Sequence, residues 1–191
     1  MTNRLVTANI SLSLDGRYSE MGAIVPYAVT ETGRNHLALI HEHATTAVLG
    51  RGSAQGFIGY WSQVAADEDA DPRDRGYARW LVGTEKVVLS TTLTEAPWDH
   101  ARIANAPAAE VIAELRKDGE GDILVNTSPS IIKPLLEADL VDRLFLMITP
   151  EIAGTGQRLF DDGLPATRWK VSRQSAGELG ELSLIYDRVR H

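Results

Sequence analysis

The chain of 191 residues contains no cysteine. Without thiols it cannot form a disulfide framework, a thiolate metal site or a cysteine nucleophile. It also lacks a Gly-x-Ser-x-Gly elbow and a Walker-type phosphate loop, which are the sequence signatures of serine hydrolases and of many nucleoside triphosphatases. The missing residues therefore argue against several large classes of enzyme.

Long apolar runs are missing as well. No stretch approaches the roughly 20 residues that a membrane-spanning helix needs. Met1-Thr2-Asn3-Arg4 leads into a strand pattern rather than a signal peptide, so we expect a cytoplasmic protein. The formal net charge of −7 offers no basic surface for nucleic acid. We therefore expect neither a membrane nor nucleic acid as a partner, and any phosphate contact must be local.

The composition is that of an ordinary globular protein, with 43% apolar and 24% charged residues. The length predicts a single domain over residues 1–191. Apolar strands alternate with amphipathic helices, and two final strands over 169–175 and 182–189 follow each other without a helix. This order predicts a three-layer α/β/α fold whose sheet is mostly parallel and ends in a C-terminal antiparallel hairpin.

Polar residues follow three of the predicted strands. These junctions read Gly50-Arg51-Gly52-Ser53, Ser90-Thr91-Thr92 and Asn126-Thr127-Ser128-Pro129-Ser130. Because ligands of open parallel sheets bind beyond the carboxyl ends of the strands, we expect the junctions to converge. Ser53 and Ser128 are expected to cap the helices that follow them. Pro129 is expected to begin the second of these helices, whose N-terminus would leave backbone N–H groups for a pyrophosphate. An ordinary capped connection is the alternative.

The remaining segments carry weaker signals. A helix is predicted from its cap Thr30 to Ala44, the charged stretch 67–75 is expected to be a solvated loop, and a brief helix is expected over 77–81. Tyr60 and Trp61 would either wall a planar substrate or pack in the core.

Three histidines, at positions 36, 41 and 43, cluster in the first long helix. His41 and His43 would point to nearly opposite sides of that helix, so no metal site is predicted.

Four segments follow one another in a specific order. They are Ser13-Leu14-Asp15-Gly16, Leu49-Gly50-Arg51, Val88-Leu89-Ser90-Thr91-Thr92-Leu93, and the stretch from Ala138 through Pro150 to Phe160. Their order, their spacing and the closing hairpin resemble the dihydrofolate reductase-like family, in particular the bacterial branch related to the reductase domain of riboflavin biosynthesis. The resemblance covers nearly the whole chain and implies a fold that binds NADPH across the strand ends.

By this resemblance, Arg51 pairs with the 2′-phosphate that distinguishes NADPH from NADH, a role that suits a planar guanidinium. Many members have paired glycines where this chain has Asn126-Thr127, so side-chain donors are expected to replace a close backbone approach at this turn. Many also have an arginine where this chain has Thr91, so the preference for NADPH is expected to depend on Arg51. The cofactor-binding positions that the resemblance implies are Ala8, Gly16, Gly50, Arg51, Ser53, Ser90, Thr91, Thr92, Asn126, Thr127, Ser128 and Ser130.

Asp15 is the candidate catalytic residue. Relatives keep an acid of the same Ser-Leu-Asp-Gly motif near the nicotinamide, so the resemblance implies that Asp15 binds or protonates the substrate. A plain Asp-Gly turn is the alternative. Gly154-Thr155-Gly156 is expected to be either a mobile loop that closes over this turn or a tight surface turn.

The resemblance implies an NADPH-dependent reductase that transfers a hydride to a small heterocyclic or conjugated C=N or C=O substrate, similar to the pyrimidine reductases of the riboflavin pathway. A non-catalytic nucleotide-binding or assembly protein is the first alternative. A true dihydrofolate reductase is the second, although Glu31 and Glu42 do not match the acid that binds the pterin in those enzymes. A homodimer is also expected from the resemblance.

Overall fold

The computed structural model describes residues 4–18 and 24–190. Within these residues, one eight-stranded sheet has the order β4-β3-β2-β5-β1-β6-β8-β7. The strands are β1 (Val6–Ser13), β2 (Ala44–Gly50), β3 (Glu85–Leu89), β4 (Ala101–Ala104), β5 (Asp122–Asn126), β6 (Arg143–Thr149), β7 (Arg168–Ala176) and β8 (Leu182–Val189). The helices are α1 (Val25–Ala28), α2 (Glu31–Ile40), α3 (Arg51–Ala66), α4 (Pro72–Gly83), α5 (Ala108–Leu115) and α6 (Pro129–Glu137).

The sheet confirms the predicted architecture. Strands β1 to β6 pair in parallel, whereas β8 pairs antiparallel with β6 and β7 forms the edge beyond it. The carboxyl ends of the parallel strands therefore lie at the same end of the sheet, which we call the rim.

Both faces of the sheet are covered. Alternate β1 residues Val6, Ala8, Ile10 and Leu12 belong to the core that packs against α5 and α6. On the opposite face, Leu124 and Phe145 pack with Ile40, Tyr77 and Leu81 of α2 and α4. The polar β1 residues of the other parity therefore point to the side of α2 and α4, because side chains alternate along a strand.

Several predicted boundaries were wrong. Thr30 does cap α2, since its hydroxyl accepts from the N–H of Gly33, but α2 ends at Ile40 and Ala44 begins β2. The charged stretch 67–75 is not a loop throughout, because α4 begins at Pro72. Its charged residues form ion pairs between α2 and α4 instead: Arg34 pairs with Asp74, and Arg73 with Glu31.

Two elements were not predicted, namely α1 and the short strand β4. The described residues include no helix with the length and hydropathy needed to cross a membrane. Met1 to Asn3, from which the sequence argument against a signal peptide began, lie outside the described residues.

Candidate functional site

The junctions after β2 and β5 meet at the rim. The N–H of Gly50 donates to Oγ of Ser128 over 2.9 Å, and Oγ of Ser53 donates to the carbonyl of Thr127 over 2.6 Å. A Cβ added at Gly50 would lie 3.5 Å from Oγ of Ser130 and 3.7 Å from Oγ of Ser128. A Cβ at position 50 would therefore make ordinary van der Waals contact with the β5 junction, which shows how closely the two junctions approach.

Two capping predictions need correction. Ser128 is the N-cap residue of α6, but its side chain makes no capping bond to that helix; it accepts from Gly50 and donates to the carbonyl of Asn126 over 2.8 Å. Ser53 does not begin a helix either, because α3 starts at Arg51 with Gly50 as its N-cap. Both hydroxyls hold the β2 and β5 junctions together.

Arg51 connects the third junction, which follows β3, to the junction after β2. Its Nη1 donates to Oγ1 of Thr92 over 2.8 Å, and Oγ of Ser90 accepts from the N–H groups of Thr92 and Leu93, which fixes the turn after β3. Arg51 and Thr92 are exposed. Within the part of the chain that the structure describes, no carboxylate pairs with Arg51. Its guanidinium therefore keeps donors for an anionic ligand.

The first turn of α3 offers backbone donors beside this guanidinium. The N–H groups of the first helical residues, Arg51, Gly52 and Ser53, have no partner within an α-helix, and they lie at the positive end of its dipole. A Cβ added at Gly52 would meet no atom within 4 Å, so the approach is open. Ser130, exposed at the start of α6, adds a hydroxyl. A helix N-terminus with these donors is suited to a phosphate.

Next to this candidate phosphate site, the strands β1 and β5 separate and leave a gap between them. Their pairing runs from Val6↔Ile123 to Asn9↔Asn126, and Thr127 donates its N–H to the carbonyl of Asn9 over 2.9 Å. Beyond Asn9, β1 pairs only with β6. Because residues of one parity direct both peptide groups to the same neighbour, the N–H and C=O of Ser11 face the space past the end of β5. No sequence signal marked Ser11.

A chain of hydrogen-bonded polar side chains, all buried except the half-buried Asn9, lies directly below this gap. Oγ of Ser183 lies 2.7 Å from Nδ1 of His36, and Nε2 of His36 lies 3.1 Å from Oδ1 of Asn9. Nδ2 of Asn9 donates to Oδ1 of Asn126 over 2.9 Å, and Nδ2 of Asn126 donates to the Tyr77 hydroxyl. We call these five side chains the polar chain.

The polar chain fixes the protonation of His36. Because Oδ1 of Asn9 is an acceptor, Nε2 of His36 carries the hydrogen and Nδ1 accepts from Ser183. Burial lowers the pKa of His36 to about 4, so the ring is neutral at pH 7. The sequence analysis assigned no role to Asn9 and treated His36 only as part of a histidine cluster.

Asn126 of the polar chain is followed by a constrained turn. Thr127 has a φ of 47°, which falls in the left-handed region, and its hydroxyl donates to Oδ1 of Asn126 over 3.1 Å. A non-glycine residue there is strained. The polar chain and the bonds from Ser53 and Ser128 hold the turn in place.

Asp15 is anchored on both of its oxygens. Oδ1 accepts from Oγ of Ser13 over 2.6 Å and from the N–H of Ala153 over 3.0 Å. Oδ2 accepts from Nε of Arg17 over 2.8 Å and from the N–H of Gly154 over 3.1 Å. The Ser13 hydrogen bond, helped by the donors from Ala153, Arg17 and Gly154, holds the pKa of Asp15 well below its usual range. The carboxylate has no proton to give near neutral pH, so this geometry does not support a proton-donating role.

The remaining candidates lie at different places in the fold. Ala8 is fully buried in the middle of β1, between β5 and β6, and belongs to the core. Trp61 lies well along α3 and packs its ring 4.6 Å from that of Tyr77, while Tyr60 is 56% exposed. Of the two predicted roles, the contacts of Trp61 correspond to packing in the core. Gly16, with a φ of 74°, lies in the turn beside Asp15.

Known proteins resemble this chain both in fold and in sequence family. The fold is that of the dihydrofolate reductase-like proteins: the dihydrofolate reductase of Enterococcus faecalis, solved with NADP(H), aligns with a TM-score of 0.57 at 15% identity over 97% of each chain. The profile of the RibD C-terminal domain family matches residues 4–180, and the chain belongs to that family.

Two further structures cover nearly all of the chain. A protein from Shewanella sp. PV-4, named for riboflavin biosynthesis, aligns with a TM-score of 0.71 at 19% identity, over 97% of this chain and 99% of the other. A pyrimidine reductase-like protein from Corynebacterium diphtheriae aligns with a TM-score of 0.64 at 16% identity, over 98% and 93%. At these identities the likeness establishes the fold alone. A comparison with curated proteins finds no match.

Proposed function

We propose that the protein is an NADPH-dependent reductase acting on a small heterocycle or another conjugated C=N or C=O compound. The observation that carries this proposal is the meeting of Arg51, the open first turn of α3 and the β5 junction at one edge of the sheet. Membership of the RibD C-terminal domain family supports an oxidoreductase.

The rim offers donors that fit NADPH in a consistent order. Arg51, exposed and held by Thr92, would pair with the 2′-phosphate. The free amides of the first α3 turn, with Ser130, would hold the pyrophosphate. The peptide groups of Ser11, directed past the end of β5, would bind the carboxamide of the nicotinamide through one donor and one acceptor.

The chain's own part in the reaction is orientation. The bound nicotinamide would supply the hydride, and the protein would fix its ring against the substrate and exclude water. Ser11 would set the position of the ring, while the polar chain below the gap keeps β1 and β5 in register.

The exposed edge strand of the sheet completes the proposal. β7 is exposed along nearly its whole length, and unpaired strand edges are prone to pair with another chain. We propose that two copies meet along this hairpin in the cytoplasm.

The test of this function is a titration of the purified protein with NADPH and NADH, followed by nicotinamide fluorescence. It is combined with an oxidation assay over a panel of pterins, pyrimidines and quinones. Saturable NADPH binding with oxidation of NADPH by at least one compound is expected. Absence of binding of either nucleotide would remove the proposal.

A second function has one observation in its favour. Because all four hydrogen bonds of Asp15 come from the protein itself and its carboxylate is ionised, the most obvious acid of the site supplies no proton. A non-catalytic nucleotide-binding protein would show saturable NADPH binding and no oxidation with any compound of the panel.

A further inference from the structure

The segment 151–156, which we call the arch, crosses the end of β1. It follows β6, and every one of its residues is exposed, including Ile152 at 76%. The first buried side chain after it is Leu159, which packs in the core with Ile10 and Leu12. The arch therefore has no apolar anchor of its own, and hydrogen bonds must determine where it lies.

Most of those hydrogen bonds come from the turn after β1, and one comes from α1, where the hydroxyl of Tyr27 donates to Oε1 of Glu151 over 2.7 Å. The N–H of Leu14 donates to the carbonyl of Glu151 over 2.8 Å, and Asp15 accepts from the N–H groups of Ala153 and Gly154. Arg17, itself bonded to Asp15, donates to the carbonyl of Gly156. The carboxylate of Asp15 thus joins two successive amides of the arch to a fixed cation.

We propose that Asp15 is a positioning residue, an ionised latch that fixes the arch across the end of β1 and so shapes the nicotinamide end of the cleft. This inference rests on the proposed function for its cleft, although the latch itself is a matter of hydrogen bonds. It assigns Asp15 to neither proton transfer nor substrate binding, since its acceptor sites are occupied by the protein.

The latch lies close to the proposed nicotinamide position and away from the proposed phosphate donors. The donors proposed for the phosphates lie on α3, α6 and the β3 turn, whereas the arch borders β1, where Ser11 faces the gap. Loosening the arch should therefore change the surroundings of the nicotinamide ring and leave the affinity for NADPH nearly unchanged. A general loss of structure would lower both.

The first variant is Asp15→Asn, which keeps the shape but replaces one acceptor oxygen with a donor. Amide exchange in the arch is expected to rise about tenfold, the effect of losing one or two hydrogen bonds. The affinity for NADPH should stay within about twofold, while the fluorescence of bound NADPH changes. Asp162→Asn, the same change at an exposed residue outside the latch, is the control and should alter none of these.

A second variant, Arg17→Gln, keeps the carboxylate and removes the contact with Gly156. It should raise exchange in the arch less than Asp15→Asn does, and it provides the test if Asp15→Asn does not fold. Unchanged exchange in the arch, or an equal loss of affinity and nicotinamide signal, would overturn the latch. If wild-type protein binds no NADPH, the proposed function fails while the exchange measurement still decides the latch.

Discussion

The two halves of the rim differ in whether their charged and polar groups are already hydrogen-bonded within the protein. In the half formed by β2, β3 and β5, the exposed Arg51 has a hydroxyl partner in Thr92, and the first turn of α3 is open. In the half formed by β1, β6 and β8, the charges are bound internally: Asp15 accepts four hydrogen bonds, and the fully buried Glu181 accepts from Thr30 and from the N–H of Leu179.

The difference indicates what each half can bind. Uncommitted donors favour a charged ligand, because new charge-assisted hydrogen bonds form without breaking old ones. Committed groups fix the shape of a cleft but offer little to a second charge. The first half is therefore suited to phosphates, and the second to an uncharged ring held by backbone groups.

The largest loss of stability in the internally bonded half is expected from Gly33→Ala in α2. A Cβ at Gly33 would lie 2.1 Å from the carbonyl oxygen of Tyr27 and 2.8 Å from that of Ala28, so α1 must move away. We expect a loss of at least about 3 kcal/mol in the free energy of unfolding, measured by denaturant titration. Gly59→Ala, in α3 with no atom within 4 Å of the added Cβ, is the matched control and should be neutral or slightly stabilising.

Acid should weaken the same half through His36. Its pKa is lowered from 6.5 to about 4 by burial, so between these values the unfolded chain binds a proton that the folded protein does not. Stability should therefore fall as the pH drops from 6.5 towards 4, by about 3 kcal/mol in total. The same denaturant titration across this range measures it. His36→Gln should remove most of this dependence, and an unchanged pH profile in that variant would contradict the role of His36.

A smaller effect is expected in the first half, where the β2 and β5 junctions meet. Ser128→Ala removes the acceptor of the buried Gly50 N–H, and an unpaired buried donor costs about 1–2 kcal/mol. Ser130→Ala, at an exposed hydroxyl of the same turn, should change stability by less than about 0.5 kcal/mol while still weakening NADPH binding. Thermal unfolding and NADPH titration of both variants separate structure from binding, and equal stability losses would contradict this assignment.

The sequence predicted the sheet, the hairpin and the three converging junctions because each depends on local patterns. Strands buried on both faces are continuous apolar runs, and Thr30 is a typical helix cap. These signals are carried by neighbouring residues, so a single sequence is sufficient to identify them.

The sequence could not predict contacts between distant residues. The hydroxyl of Ser128 serves Gly50, 78 positions away, rather than its own helix. The amides that hold Asp15 come from Ala153 and Gly154, 138 and 139 positions further on. The gap beside Ser11 exists because β5 ends at Asn126 while β1 continues, which is a property of the assembled sheet.

The central claim is tested most directly by titrating wild-type protein, Arg51→Gln and the exposed-residue control Arg79→Gln with NADPH and with NADH. The wild type and the control should bind NADPH at least about tenfold more tightly than NADH, since a charge-assisted bond to a phosphate contributes about 1.5–3 kcal/mol. Arg51→Gln should lose most of that preference by weakening NADPH binding alone. Equal affinities of the wild type for the two nucleotides, or an equal weakening of both in Arg51→Gln, would contradict the account.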